Sequence, residues 1–306
     1  MPPTKVDLTS RLAGLSLRNP LILASGILGS SGAMLREVAR ECVGAVTTKS
    51  FGTTAREGYQ GPVITEVAAG YLNSLGLPNP GSEQMKAEIK EARKGGVPVI
   101  ASIYGFTEEE YGVAATAAQD AGADALELNV SCPHVEEVGL EIGRDPDLVA
   151  RVTSASRSKF NRPLIVKLSP NVGDIVEIAE AAAGAGAEAI TAVNTVRAIA
   201  IDVEMRRPIL GGRFGGLSGP AIKPIALRCV YELYEKISLP IIGCGGITGW
   251  QDAVEYLLAG ASAVQIGSAL VSRDFSVFKE ISEGLGAYLS RHGYTRLEEI
   301  VGIAHA

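Results

Sequence analysis

The chain has 306 residues, of which 46% are hydrophobic and 20% charged, so it can bury a large core and is not of the disordered class. The net charge of −6, without a basic stripe, argues against nucleic acid as a partner. The four cysteines form no CxxC pair and no histidine cluster has ligand spacing, so we expect neither a metal site nor disulfides. The sequence shows no membrane span and no signal peptide, which predicts a cytoplasmic protein.

Short apolar runs alternate with longer amphipathic runs along the whole chain. Eight runs are continuously apolar, as parallel strands covered on both faces should be: 19–26, 44–50, 97–105, 125–132, 163–170, 189–196, 240–247 and 263–270. Seven helical patterns follow them: 82–96, 107–122, 145–160, 174–186, 221–237, 248–260 and 275–293. This α/β alternation predicts a (β/α)8 TIM barrel, with residues 1–306 forming a single domain.

Three segments exceed the minimal barrel. Residues 6–17 resemble a hairpin that could plug the bottom of the barrel. Residues 52–81 form a long segment rich in glycine and proline, and residues 197–220 could form a small antiparallel excursion. Loops of this length in a compact domain are usually functional or covering segments, so we expect the last two at the carboxyl-terminal face.

Polar residues cluster where the predicted strands end, which is where barrels of this kind place their active sites. These strand ends are Ala24-Ser25-Gly26, Lys49-Ser50, Ser102, Asn129, Lys167, Asn194-Thr195, Gly245-Gly246 and Gly267-Ser268. Lys49 and Lys167 follow apolar runs. A buried lysine is costly unless it has an anionic partner or a functional role.

The last two strand ends are glycine-rich turns whose backbone N–H groups can hold a phosphate. A phosphate site, two inward lysines and several amides together suit flavin mononucleotide (FMN), with Lys167 beside the pyrimidine edge of the ring. A rival interpretation makes Lys167 a Schiff-base lysine in an aldolase-type barrel. A third is a flavin-free barrel that binds a pyrimidine.

Cys132 is the candidate proton-transfer group, because an unperturbed thiol titrates near 8.5 and Pro133 ends the strand directly after it. His134 lies in the same segment and can contact a ligand or fix the loop. Asn73 and Asn194 could pair with the alternating N–H and C=O groups of a pyrimidine. We expect Cys244, in a glycine turn, only to pack. The segment 133–143 could close over the substrate as a lid.

Eight motifs, in order along nearly the whole chain, resemble those of the class 1 dihydroorotate dehydrogenases, and most closely the catalytic subunit of class 1B. They are TTKSFGTTAREG, NSLGLPNPG, NVSCPHV, VKLSPN, AVNTV, GGLSGPAIKP, IGCGGI and VQIGSAL. The resemblance implies FMN-dependent oxidation of dihydroorotate to orotate, with Cys132 taking the C5 proton while hydride leaves C6 for flavin N5.

The resemblance also assigns binding residues. It implies substrate contacts by Lys49, Asn73, Leu75, Gly76, Leu77, Asn129, His134, Asn194 and Thr195. It implies flavin contacts by Ala24, Ser25, Gly26, Lys49, Ser50, Ser102, Asn129, Lys167, Val193, Gly219, Gly245, Gly246, Gly267 and Ser268. The family usually has asparagine at the positions of His134 and Ser102. Flavin-dependent dihydropyrimidine dehydrogenases carry SCPH with histidine, so dihydrouracil is an alternative substrate.

Class 1B relatives pass electrons to a second subunit that carries FAD and a [2Fe–2S] cluster and reduces NAD. This chain has no cysteine set for such a cluster. The resemblance therefore implies a heterotetramer, in which a homodimer of this chain binds two copies of an electron-transfer subunit.

Overall fold

A computed structural model describes residues 6–130 and 142–306 of the chain. Eight parallel strands form a closed barrel. In chain-order numbering these are β3 (Leu21–Leu23), β4 (Ala45–Thr47), β7 (Val99–Ile103), β8 (Ala125–Asn129), β9 (Leu164–Leu168), β10 (Ala189–Ala192), β15 (Ile241–Cys244) and β16 (Ala261–Ile266). Val264 pairs with Leu21 and so joins the last strand to the first. The predicted (β/α)8 barrel is confirmed, with strands shorter than the apolar runs.

Helices surround the barrel. They are α1 (Gly32–Arg40), α2 (Ser82–Ala92), α3 (Glu108–Ala121), α4 (Pro146–Arg157), α5 (Ile175–Gly184), α6 (Lys223–Lys236), α7 (Trp250–Leu258), α8 (Ala269–Ser272) and α9 (Ser276–His292). Side chains cap several amino termini: Thr107 accepts a hydrogen bond from the Glu110 N–H, and Asp145 and Asp174 do the same for α4 and α5. The seven helical patterns are confirmed. The sequence patterns did not predict α1 or the one-turn α8.

The N-terminal hairpin joins β1 (Ser10–Leu12) to β2 (Leu15–Leu17) and lies under the barrel, as predicted. Leu12 and Leu17 are fully buried against one inward-facing residue from each barrel strand. These eight residues, which we call the apolar floor, are Ile22, Ala45, Ile100, Ala125, Ile165, Ala189, Ile242 and Ala263. The lower half of the barrel interior is therefore a packed hydrocarbon layer.

A second sheet covers part of the opposite end. The 52–81 segment, predicted as a glycine- and proline-rich loop, contains a hairpin of β5 (Ile64–Val67) and β6 (Gly70–Asn73). β6 pairs with β14 (Gly215–Ser218), which pairs with β11 (Val196–Ala198). The predicted excursion also contains a short hairpin of β12 (Ile201–Asp202) and β13 (Arg207–Pro208). The two long segments thus combine into one cover beside the barrel mouth.

Among residues 6–130 and 142–306, none of the helices has both the length and the apolar character needed to cross a bilayer.

Candidate active site

A pocket opens at the carboxyl-terminal end of the barrel, between the strand ends and the second sheet. We call it the mouth pocket. Nineteen sequence-predicted site residues line it: Ala24, Ser25, Gly26, Lys49, Ser50, Asn73, Leu75, Gly76, Leu77, Asn129, Lys167, Val193, Asn194, Thr195, Gly219, Gly245, Gly246, Gly267 and Ser268. They come from all parts of the chain. The barrel therefore brings the predicted substrate and flavin residues into one cavity.

Two predicted residues, Cys132 and His134, lie outside the described residues, as does most of the proposed lid at 133–143. The strand that leads to them ends at Asn129, whose side chain is in the mouth pocket. Ser102 does not line the pocket. It is fully buried and its hydroxyl lies 2.8 Å from that of Ser50, which does line it. Ser102 therefore supports a pocket residue from behind.

A chain of amide hydrogen bonds fixes the orientation of two asparagines. The Thr195 N–H donates to Asn194 Oδ1 at 2.8 Å, which identifies this atom as the oxygen because a backbone N–H can only donate. Asn194 Nδ2 then donates to Asn129 Oδ1 at 3.2 Å, and Asn129 Nδ2 donates to Ser50 Oγ at 3.2 Å. The amides at the ends of β8 and β10 are thus pre-oriented before a ligand arrives.

Lys167 points into the barrel from β9 and is 6% exposed. Its ammonium donates to Gln265 Oε1 at 2.7 Å. Burial by itself disfavours the charged amine, but the Cys244 sulfur and the Glu127 carboxylate outweigh burial and hold the pKa of Lys167 above its ordinary value. Burial raises the pKa of the Cys244 thiol, so that group is neutral near pH 7. Lys167 therefore presents a positive charge at the base of the mouth pocket.

The glycine turns bring backbone close to the pocket. Gly245 and Gly246 have φ values of 138° and 68°, which disfavour a side chain. A Cβ at Gly246 would lie 2.8 Å from the carbonyl oxygen of Gly219, and one at Gly245 would lie 2.8 Å from Ala226 Cβ. Glycine is required here for conformation and for space, and the resulting wall is lined with main chain.

Sequence reasoning missed several pocket residues, including Tyr71, Ser218 and Gln265. It also expected Cys244 only to pack, whereas Cys244 lines the pocket beside Lys167. Gln265 could have been found, since it is a polar residue two positions after Ala263 of the apolar floor and so faces the same interior. Tyr71 and Ser218 belong to the second sheet, and local patterns gave no signal for their position.

Comparison with known proteins agrees with this geometry. Residues 7–289 match the family model described as dihydroorotate dehydrogenase. Similar curated proteins include those of Pyrococcus abyssi (51% identity over 96% of this chain and 97% of the relative), Methanocella arvoryzae (49%, over 98% of each) and Methanocaldococcus jannaschii (45%, over 97% and 98%). Each is named dihydroorotate dehydrogenase B (NAD(+)), catalytic subunit. The chain belongs to the dihydroorotate dehydrogenase family.

Proposed function

We propose that this protein catalyses the FMN-dependent oxidation of (S)-dihydroorotate to orotate in the de novo synthesis of pyrimidines. The observation that carries the proposal is the mouth pocket, in which oriented amides, two lysines and a glycine-lined wall meet at the end of a closed barrel. The printed names of relatives about half identical over nearly the full length of both chains support the same activity.

The residues present fit FMN. Gly245 and Gly246 line the pocket with positive φ values that favour glycine, so they present main chain there, as a phosphate held by main-chain N–H groups requires. Lys167 supplies a buried cation for the pyrimidine edge of the ring, where negative charge develops on reduction. Ser25 and Ser50 add hydroxyl groups to the same lining. Bound FMN would supply the oxidant that accepts the hydride from C6 of the substrate.

The remaining residues suit a small carboxylated pyrimidine. Lys49 would pair with the carboxylate, and Asn73, Asn129 and Asn194 would bind the ring amides. Asn73 is positioned by its own donation to the Gly216 carbonyl at 3.0 Å, across the β6–β14 pair. Cys132 would accept the C5 proton from a position three residues beyond Asn129.

The environment of Lys167 argues against the Schiff-base alternative. A nucleophilic lysine needs a neutral amine and therefore a lowered pKa, but the pKa of Lys167 is raised. Its ammonium is also held by Gln265. The dihydropyrimidine alternative differs only in the substrate carboxylate, and Lys49 in the mouth pocket favours a substrate that has one.

The relatives are named as catalytic subunits of NAD(+)-linked enzymes. We extend this to a cytoplasmic heterotetramer, in which a homodimer of this chain passes electrons to a partner subunit carrying FAD and a [2Fe–2S] cluster. Reconstitution with such a subunit should give dihydroorotate-dependent reduction of NAD. Efficient turnover of the isolated chain with fumarate, and none with NAD after reconstitution, would contradict the partner assignment.

The main experiment combines a spectrum with kinetics. The purified protein should show the absorption of oxidised flavin, and dihydroorotate should bleach it under anaerobic conditions. Dihydrouracil is the matched control because it lacks only the carboxylate, and we expect a much lower kcat/KM for it. A protein that binds no flavin would refute the proposal, and a preference for dihydrouracil would change the substrate assignment.

A further inference from the structure

A layer of polar side chains lies inside the barrel directly above the apolar floor. Because alternate residues of a strand face the same side, it contains the residues two positions beyond the floor. They include Thr47, Ser102, Glu127, Lys167, Thr191, Cys244 and Gln265. Lys167, Cys244 and Gln265 reach the mouth pocket. Glu127 does not line it, is completely buried and has no part in the chemistry proposed above.

Hydrogen bonds connect Glu127 to the pocket through one intermediate. Gln265 Nε2 donates to Glu127 Oε2 at 2.6 Å, and Gln265 Oε1 accepts from the Lys167 ammonium at 2.7 Å. Thr191 Oγ1 donates to the same carboxylate oxygen at 3.0 Å. An ammonium can only donate and a carboxylate can only accept, so the amide of Gln265 is held in one orientation between them.

The charges explain why these residues occur together. A lysine and a glutamate buried singly would each be strongly destabilising, and each makes burial of the other tolerable. Among residues 6–130 and 142–306, the titratable groups that act on Lys167 are Cys244 on β15 and Glu127 on β8, while β10 and β16 contribute the uncharged Thr191 and Gln265. Since the Cys244 thiol is neutral near pH 7, Glu127 carries the opposing charge.

We propose that Glu127 is a positioning residue, whose carboxylate acts through Gln265 to hold the Lys167 ammonium as a fixed cation at the base of the mouth pocket. This deepens the proposed function and rests on it only in assigning the flavin as the group that senses the cation. Gln265 separates the Glu127 carboxylate from the mouth pocket. The carboxylate therefore neutralises Lys167 on the side of the barrel interior while leaving the side facing the pocket positive.

A double-mutant cycle tests the coupling without reference to flavin. Denaturant unfolding of the full chain, without added FMN, is measured for Glu127→Gln, Lys167→Met and the double variant. Each single change leaves one buried charge unpaired. The unfolding equilibrium constant of the double variant should therefore be at least about tenfold smaller than the value expected if the effects of the two single changes were additive. Additive effects would overturn the proposal. If a single variant does not fold, the double variant must still fold, and its failure would also overturn it.

A redox titration tests the role toward the pocket. In flavin-loaded Glu127→Gln, Lys167 keeps Cys244 but loses the Glu127 carboxylate, so it should lose its proton at lower pH than in the parent protein. We expect the equilibrium constant for two-electron reduction to fall at pH 9 about tenfold below that of the parent, a shift of about 30 mV, and by much less at pH 6.

Thr191→Val is the matched control, because it removes one hydrogen bond from the same carboxylate and leaves the charge. Its midpoint potential should follow that of the parent protein over the whole pH range. A Glu127→Gln potential that runs parallel to the parent at all pH values would overturn the proposal. Absence of bound flavin in every protein, with coupling intact in the unfolding cycle, would refute the proposed function and not the Glu127–Lys167 pairing.

Discussion

The orientation of the Asn194 amide leads to a prediction about charge. Asn194 Oδ1 accepts from the Thr195 N–H, so its Nδ2 must donate to Asn129 Oδ1. Asn194→Ala removes both hydrogen bonds. At about 0.5–1.5 kcal/mol each, the total is about 1–3 kcal/mol. If this loss is fully expressed in the transition state, kcat/KM for dihydroorotate should fall roughly 5- to 150-fold.

Asn194→Asp should be worse than Asn194→Ala, although it conserves size. The aspartate keeps the hydrogen bond from the Thr195 N–H but turns an acceptor toward Asn129 Oδ1. It also brings a negative charge into a pocket proposed to receive a carboxylate. A charged acceptor left unsatisfied costs about 1.5–3 kcal/mol more, so we expect a further loss of at least about tenfold.

Steady-state kinetics with the flavin-loaded variants measure this difference, and the flavin spectrum checks that the cofactor site is intact. Asn161→Asp makes the same chemical change at an exposed position away from the mouth pocket and should leave kcat/KM unaltered. If Asn194→Asp is as active as Asn194→Ala, or more active, the assigned amide orientation is wrong.

Three other changes test other parts of the molecule. Cys132→Ala should keep the flavin spectrum but slow flavin reduction by dihydroorotate about 10²–10⁴-fold in stopped-flow assays, because a general base usually contributes a rate factor of this size. An unchanged rate of reduction would exclude Cys132 as the general base. Leu17→Ala should cost about 2–5 kcal/mol of unfolding free energy in denaturant titrations, because Leu17 is fully buried under the barrel. Leu15→Ala, at a partly buried position of the same hairpin, should lower the unfolding free energy by less than half as much. Equal losses for the two variants would contradict the packing of this hairpin under the barrel. Gly246→Ala should weaken FMN binding at least about tenfold in fluorescence titrations, since its φ is positive and its Cβ would clash. Gly173→Ala, in open space, is its control, and equal affinity of both variants would refute the glycine wall.

Sequence periodicity was sufficient for the barrel, because each continuous apolar run is a local signal for a strand buried on both faces. It was also sufficient for Lys167, since a lysine in such a run is conspicuous. Glu127 was overlooked, although it occupies the equivalent place in ALELN, because its role depends on residues from three other strands. The strand order of the closed barrel brings Glu127 and these three residues together in the barrel interior.

The second sheet could not be predicted from local sequence, for a different reason. Asn73 bonds to the Gly216 carbonyl 143 positions further along the chain. The glycine- and proline-rich composition of residues 52–81 predicted a loop, whereas residues 64–73 form a hairpin. A hairpin without its cross-strand partner has no distinctive sequence pattern. The strand character of this region depends on pairing with β14, and no window of local sequence contains both partners.

The closure between the first and last strands has a consequence for biosynthesis. Asp7 exchanges main-chain hydrogen bonds with the Thr295 and Leu297 region, and Ser10 Oγ donates to the Ser262 carbonyl at 2.6 Å. These contacts join segments that are more than 250 residues apart in the chain, so the earlier segment cannot complete its hydrogen bonds until the later one has been synthesised. A chain in which β16 has not yet paired would expose the edges of β3 and β15 together, so we expect barrel closure to be a late folding step and the stage most sensitive to aggregation.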